Sequence, residues 1–324
     1  MGGEDALREP WKYFDLIGGT STGGLIAIMI GQLKMSIPDC IESYGKLSQN
    51  VFGSKSFCAK VFGYYGATIV GGTEYHSKAF EKEVQKLLDH HLPLDQKKLL
   101  SQSTSISKAK LLLPLSLQAE YPKVFVAALQ QEAANPILLT NYTTNHNSQF
   151  KHFAILEAAR ATSAASTIFE PLRVEVDGVA SNFVDAGLGY NCPIHLVMNE
   201  ARRIWGNRPF GCILSLGTGV QPDAPVGKNL KDVAMTCKDM ATNAQRIANA
   251  FYLGLVGEDS ELLEVYFRLN VDQGLASIRL DEYEKLSEVG ARTTAYLDLH
   301  QKELDKICMQ LKAPTPPTRS RGTR

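Results

Sequence analysis

The chain has 324 residues, of which 44% are hydrophobic, enough to bury one large core or two. Lys+Arg and Asp+Glu balance at 34 each, which argues against a global electrostatic pull toward nucleic acid or an anionic surface. There is no signal-peptide pattern and no run of eighteen apolar residues, so a secreted or membrane-spanning protein is not expected.

Near the N-terminus, Tyr13-Phe14-Asp15-Leu16-Ile17 reads as a strand and Leu25 to Ile30 as the start of a buried helix. Between them Gly19-Thr20-Ser21-Thr22-Gly23 forms a G-x-S-x-G pattern. In a strand-to-helix turn such glycines allow a sharp bend that pushes the serine hydroxyl out, the arrangement of a nucleophile elbow. The letters alone are also compatible with a glycine-rich turn that binds nothing. Further along, Phe80, Val84, Leu87 and Leu88 make an apolar stripe over 77–91, a surface-helix signature. Gln96 to Gln118, rich in Ser, Lys and Leu, interrupts the pattern and reads as an insertion with its own apolar cluster or as a lid that meets lipid.

Lys123–Leu129 and Ile137–Tyr142 look like strands separated by a polar turn. Asn182 to Gly189 reads as a strand that delivers Asp185 into the small-residue turn Asp185-Ala186-Gly187. Small neighbours permit a carboxylate to come within hydrogen-bond reach of a serine on another strand, whereas an Asx turn capping the next helix is the plainer use of such a motif. Ile194, Val197, Met198, Ala201 and Ile204 line one face of that helix, with Pro193 in its first turn. Gly211–Leu216 is a buried-strand pattern ending in Gly217-Thr218-Gly219, and Leu286 to Leu311 carries one long helical period. Alternating strands and helices argue for a mixed or parallel sheet covered on both faces.

Six cysteines (Cys40, Cys58, Cys192, Cys212, Cys237 and Cys308) are scattered without a C-x-x-C pair, which reads as reduced, mostly buried thiols of an intracellular protein. The histidines show no spacing that argues for a metal. Two of them, His195 and His300, follow Asp185 in the order of a Ser-Asp-His triad, but one falls inside an amphipathic helix and the other in a polar stretch. Neither position suits a mobile general base, which argues against a triad.

Four blocks in order, YFDLIGGTSTGG at 13–24, ILEAARATSAASTIFEPL at 155–172, FVDAGLGYNCP at 183–193 and ILSLGTG at 213–219, resemble the patatin-like phospholipases. The resemblance covers roughly residues 11 to 312 and implies an α/β fold, a three-layer α/β/α sandwich with a mostly parallel central sheet, and hydrolysis of phospholipid or other lipid acyl esters. The chain's own residues add the expectation of a cytoplasmic protein without cofactor or metal, compatible with transient contact to membrane surfaces. It implies Ser21 as nucleophile and Asp185 as general base. The family's D-G-[GA] stands here as Asp185-Ala186-Gly187, and the alanine removes an easy positive φ. The family's glycine-rich oxyanion loop, of the form D-G-G-G-x-R-G, has no counterpart in the 324 residues. An N-terminally truncated domain over 1–312, with the Thr22 N–H as its remaining oxyanion donor and a Pro- and Arg-rich tail over 313–324, is the resulting expectation. Loss of the loop would also be compatible with a catalytically impaired module that binds lipid or a protein partner.

Overall fold

The computed structural model describes residues 8–53, 72–92, 122–144, 150, 153–166, 168–176, 178–220, 243–258, 260–275, 278–279 and 281–313. The insertion expected at 96–118 and all of the tail but Ala313 lie outside these residues, as do Cys58 and Cys237. The chain divides into two compact units, one comprising Met1–Tyr190 with Asp281–Tyr283, the other Asn191–Leu280 with Glu284–Arg324.

The first unit is built on a mixed sheet. Strand β1 (Leu16–Thr20) is followed by helix α1 (Thr22–Ala27), which runs on into a π-helical turn over Ile28–Gln32. Pro10 opens a short 3₁₀ turn over Pro10–Tyr13, so the strand begins three residues later than the apolar run from Tyr13 suggested. Helix α2 (Ile37–Phe52) starts at Ser36, whose hydroxyl accepts from the Asp39 N–H, with Pro38 in the first turn. Helix α3 (Gly72–His91) contains the predicted 77–91 stripe. Strands β2 (Lys123–Gln130) and β3 (Asn135–Thr140) follow, then helix α4 (Ile155–Thr162), and strands β4 (Leu172–Val176) and β5 (Val179–Asp185).

Strand β1 runs parallel to β2, whereas β3 and β5 run antiparallel to β2, and β4 antiparallel to β5. The α/β sandwich stands as expected, but its sheet is mixed rather than mostly parallel. The reason is local. Only a short turn separates β2 from β3, and only Asp177-Gly178 separates β4 from β5; links of that length can join antiparallel neighbours alone. Parallel pairing needs a crossover, and β1 has one through α1, α2 and α3.

Strand β2 is covered on both faces, as a sandwich requires. Val126 and Ala128 are buried toward one side, Phe125 and Ala127 toward the other. The first side forms the main core with Leu25, Ile28 and Met29, Phe80 and Val84 from α3, Ile155 and Ala158 from α4, and Phe183 from β5. The buried Asn141 side chain stitches this layer to β2: its carbonyl accepts from the Val124 N–H at 2.7 Å and its amide donates to Gln32 at 2.9 Å.

The second unit holds helix α5 (Ile194–Trp205), strand β6 (Ile213–Leu216), helices α6 (Ala244–Glu258) and α7 (Ser260–Val265), and strand β7 (Tyr266–Leu269) parallel to β6. Its own core gathers Ile194, Met198, Ile213, Phe251 and Tyr266. Pro193 caps α5 rather than sitting inside it. The long C-terminal period is two helices, α8 (Leu286–Leu299) and α9 (Gln301–Lys312), broken at His300, whose Nδ1 contacts the Tyr296 carbonyl. The described cysteines are free; Cys40 and Cys192 are buried, and Cys308 is exposed.

Phe183 lies fully buried on β5 with its ring edge-on to Phe153 at 5.2 Å and Phe150 at 6.2 Å. Phe183→Ala is expected to cost about 3–5 kcal/mol, because the cavity between three aromatic rings cannot collapse easily. The shift of the urea unfolding midpoint measures it.

Candidate active site

Three strands decide where the two motifs meet. Strand β3 occupies one edge of β2 along Phe125–Gln130. The opposite edge is shared: β1 pairs with Lys123–Ala127 and β5 with Ala128–Gln130. Because β1 runs along β2 and β5 runs against it, their C-terminal ends approach head-on. Thr20 sits opposite Ala127, and Asp185 opposite Ala128. Ser21, the next residue after Thr20, is thereby delivered to Asp185, close enough for its side chain to act on the Asp185 carboxyl. The two residues singled out in the sequence are brought together.

Ser21 is one of three described non-glycine residues with positive φ, at φ 55° and ψ −127°. Such a conformation costs on the order of 1–3 kcal/mol and persists only when the surroundings over-determine it. Here they do. The Ser21 N–H donates to Thr162 Oγ1 at 2.9 Å, and the Ser21 carbonyl accepts from the Leu25 N–H at 3.1 Å, opening α1. A Cβ on Gly19 would lie 2.0 Å from the Gly23 carbonyl oxygen, so the sharp turn admits only glycine there. A Cβ on Gly23 would meet nothing within 4 Å, so that side of the turn is open. Thr20 Oγ1 donates to the Tyr190 carbonyl at 2.7 Å, tying the end of β1 to the segment that follows Asp185.

Asp185 ends β5. The Gly187 N–H donates to Asp185 Oδ1 at 2.7 Å, so the Asx turn that the sequence allowed is present, and the same carboxyl lies beside Ser21. The two readings of the motif are compatible. Burial pushes the Asp185 carboxyl above the ordinary carboxylate range, and the hydrogen bonds from Ser21 and Gly187 pull it partly back. Ala186 is fully buried and is not among the described residues with positive φ, so its methyl group fits where the sequence left a doubt.

Thr22 is the first residue of α1, where backbone N–H groups have no acceptor within the helix. Its side chain lies 3.4 Å from the Tyr44 hydroxyl. Tyr44 in turn lines a small apolar hollow with Leu25, Met29, Leu47 and Leu87. Sequence reasoning missed Thr162 and Tyr44; the run Ala158–Ala165, with six alanines and serines around two buried polar residues, was the available sign of close packing at the first of them. His195 and His300 lie in the second unit, the former edge-on to Phe251 and the latter stacked on Tyr296. Among the described residues no group of three His, Cys, Asp or Glu is placed to hold a metal ion, and no described helix is long and apolar enough to cross a membrane.

The family model for patatin-like phospholipases matches residues 5–198. Calcium-independent phospholipase A2-gamma of Oryctolagus cuniculus is 25% identical over 308 residues, covering 91% of this chain and 35% of that protein. Phospholipase A I of Arabidopsis thaliana is 22% identical over 341 residues, covering 94% of this chain and 25% of that protein. The cGAMP-activated phospholipase of Vibrio cholerae is 26% identical over 198 residues, covering 59% of this chain and 47% of that protein. The chain spans about a third of the length of the mammalian relatives it matches.

The raised Asp185 carboxyl has a consequence for stability. Its pKa is higher in the folded than in the unfolded chain, so the folded state favours the proton. The contribution is fully present below the unfolded value and is lost as pH rises through the folded one. Asp185→Asn carries no such titration, so its melting temperature is expected to gain on the wild type as pH rises from acid to neutral. A difference between the two proteins that stays constant with pH would mean that the carboxylate is not desolvated.

Proposed function

The chain belongs to the patatin-like phospholipase family, and from that premise we propose that it hydrolyses lipid acyl esters through a Ser21–Asp185 dyad and an acyl-enzyme. The meeting of Ser21 with a carboxylate raised by burial, where the ends of β1 and β5 converge on β2, supports this reading most directly. Serine is a weak nucleophile at its free pKa, and a base within hydrogen-bond reach is what activates it. An unperturbed aspartate is a weak base near neutral pH; a raised one accepts the proton more readily.

On this reading Ser21 Oγ attacks the ester carbonyl as its proton passes to Asp185. The carbonyl oxygen takes the negative charge and turns toward the Thr22 N–H at the start of α1. The tetrahedral intermediate collapses by breaking the ester C–O bond, and the departing alcohol oxygen receives the proton held by Asp185. Water then attacks the acyl-serine, giving its proton to Asp185. Collapse releases the free acid and returns that proton to Ser21. The open face beside Gly23 gives an ester access to Ser21. A phospholipid is the proposed substrate because the similar proteins are named as phospholipases. The chain would meet it at a membrane surface from the cytoplasm.

Incubation with a fluorophosphonate probe is expected to label Ser21, and Ser21→Ala to abolish the labelling. Asp185→Asn is expected to slow labelling and phospholipid turnover by roughly 100- to 10,000-fold, the range of a lost general base. A folded protein that takes no label would overturn the hydrolase in favour of a module that binds lipid or a partner without chemistry.

The pH dependence follows from the direction of the Asp185 shift. Only the ionised carboxylate can act as base, so kcat/KM should rise with pH through a value above that of an ordinary aspartate, and fall away on the acid side. A rate that is flat down to the usual carboxylate range would remove Asp185 from the role of base.

A further inference from the structure

The short stretch that ends α4 touches both members of the pair through their backbones. Thr162 Oγ1 accepts from the Ser21 N–H at 2.9 Å and donates to the Ala127 carbonyl at 2.8 Å. Two residues on, the Ala164 carbonyl accepts from the Asp185 N–H at 3.1 Å. Thr162 and Ala164 are fully buried. The fit is close on the other side too: a Cβ on Gly24 would stand 2.7 Å from Thr162 Oγ1 and 2.8 Å from its methyl carbon, so α1 lies directly against this side chain.

The position of Thr162 has a reason in the sheet. The ladder between β1 and β2 runs out at Ala127, opposite Thr20, and the one between β5 and β2 begins at Ala128. The Ser21 N–H does not continue the ladder but turns to Thr162 Oγ1, and the chain bends away after it with positive φ. The threonine hydroxyl bridges the break, taking the amide of the turned residue and passing a hydrogen bond to the carbonyl of the last paired residue on β2. Only a side chain that both donates and accepts, on a stem short enough to stay buried, can do this.

We propose that Thr162 is a positioning residue for the reaction, holding Ser21 in its turned conformation, with the Ala164 carbonyl fixing Asp185 from the same segment. The proposal rests on the Ser21–Asp185 reading for its effect on turnover. The clamp itself is independent of that reading. Thr162 touches no substrate; its hydroxyl acts through the geometry of Ser21, and displacements of about 1 Å at a reacting group cost on the order of 100-fold in rate.

Thr162→Val keeps the shape and removes the hydroxyl, and Thr162→Ser keeps the hydroxyl and removes the methyl group. In the full chain, Thr162→Val is expected to lower kcat for phospholipid vesicles and the rate of fluorophosphonate labelling in parallel, by about 10- to 100-fold, with KM little changed. Thr162→Ser is expected to restore both rates to within a few-fold of wild type. Amide hydrogen exchange at Ser21 supplies a readout that needs no turnover: it should accelerate in Thr162→Val and return to the wild-type rate in Thr162→Ser. Equal losses in the two variants would assign the effect to packing and overturn the proposal, as would unchanged rates and Ser21 exchange in Thr162→Val. Should the wild type itself take no label, the dyad fails, and exchange at Ser21 alone decides for or against the clamp.

Discussion

One edge of one strand governs this molecule's candidate chemistry. Strand β2 gives its first five residues on that edge to β1 and its last three to β5, and the two partners run in opposite directions. Two antiparallel chain ends that share an edge must point at one another. Ser21 and Asp185 are then held side by side without any loop having to reach across. Everything else near Ser21 and Asp185 serves to keep that junction closed: the small residues that let α1 and α4 approach, the Thr20 link to Tyr190, and the Thr162 bridge over the break.

The junction is costly to hold. A serine with positive φ and a carboxylate displaced upward from its ordinary range both raise the energy of the folded state. These costs are borne by the layer beneath, where Phe183, two residues before Asp185, is locked among aromatic rings, and Val126 and Ala128 alternate with Ala127 along β2. Strain at a site is tolerable only where the neighbouring core is close-packed, because a loosely packed core would relax the strained residue before it could act.

Much of this was legible in the chain itself. The glycine pattern around Ser21 and the small residues after Asp185 named the pair, because sharp turns and close approach leave few residue choices. Helix α3 followed from periodicity, whereas the strand read over Asn182–Gly189 begins earlier and ends at Asp185. The direction of the sheet was not legible. Lys123–Leu129 and Ile137–Tyr142 are apolar runs of a kind that suits either a parallel or an antiparallel neighbour, and only the shortness of their link decides. Thr162 was hidden for another reason. Its hydroxyl works through backbone groups of residues far away in sequence, and a threonine near the end of an alanine-rich helix carries no local mark of that use. The Asx turn at Asp185 was foreseen as a rival to a role beside Ser21, yet one carboxylate has lone pairs enough for both partners.

The shared edge also bears on how the protein folds. The pairings of β2 with β3 and of β4 with β5 are hairpins, closed by loops of a few residues and able to form early. Strand β1 is different: Leu16 must find Lys123 across three helices, with a correspondingly large loss of chain entropy. Ser21 and Asp185 therefore come together only when the longest-range strand pairing of the first unit is made. A nascent or partly folded chain possesses both residues but not their proximity, so whatever the pair does together waits on that pairing.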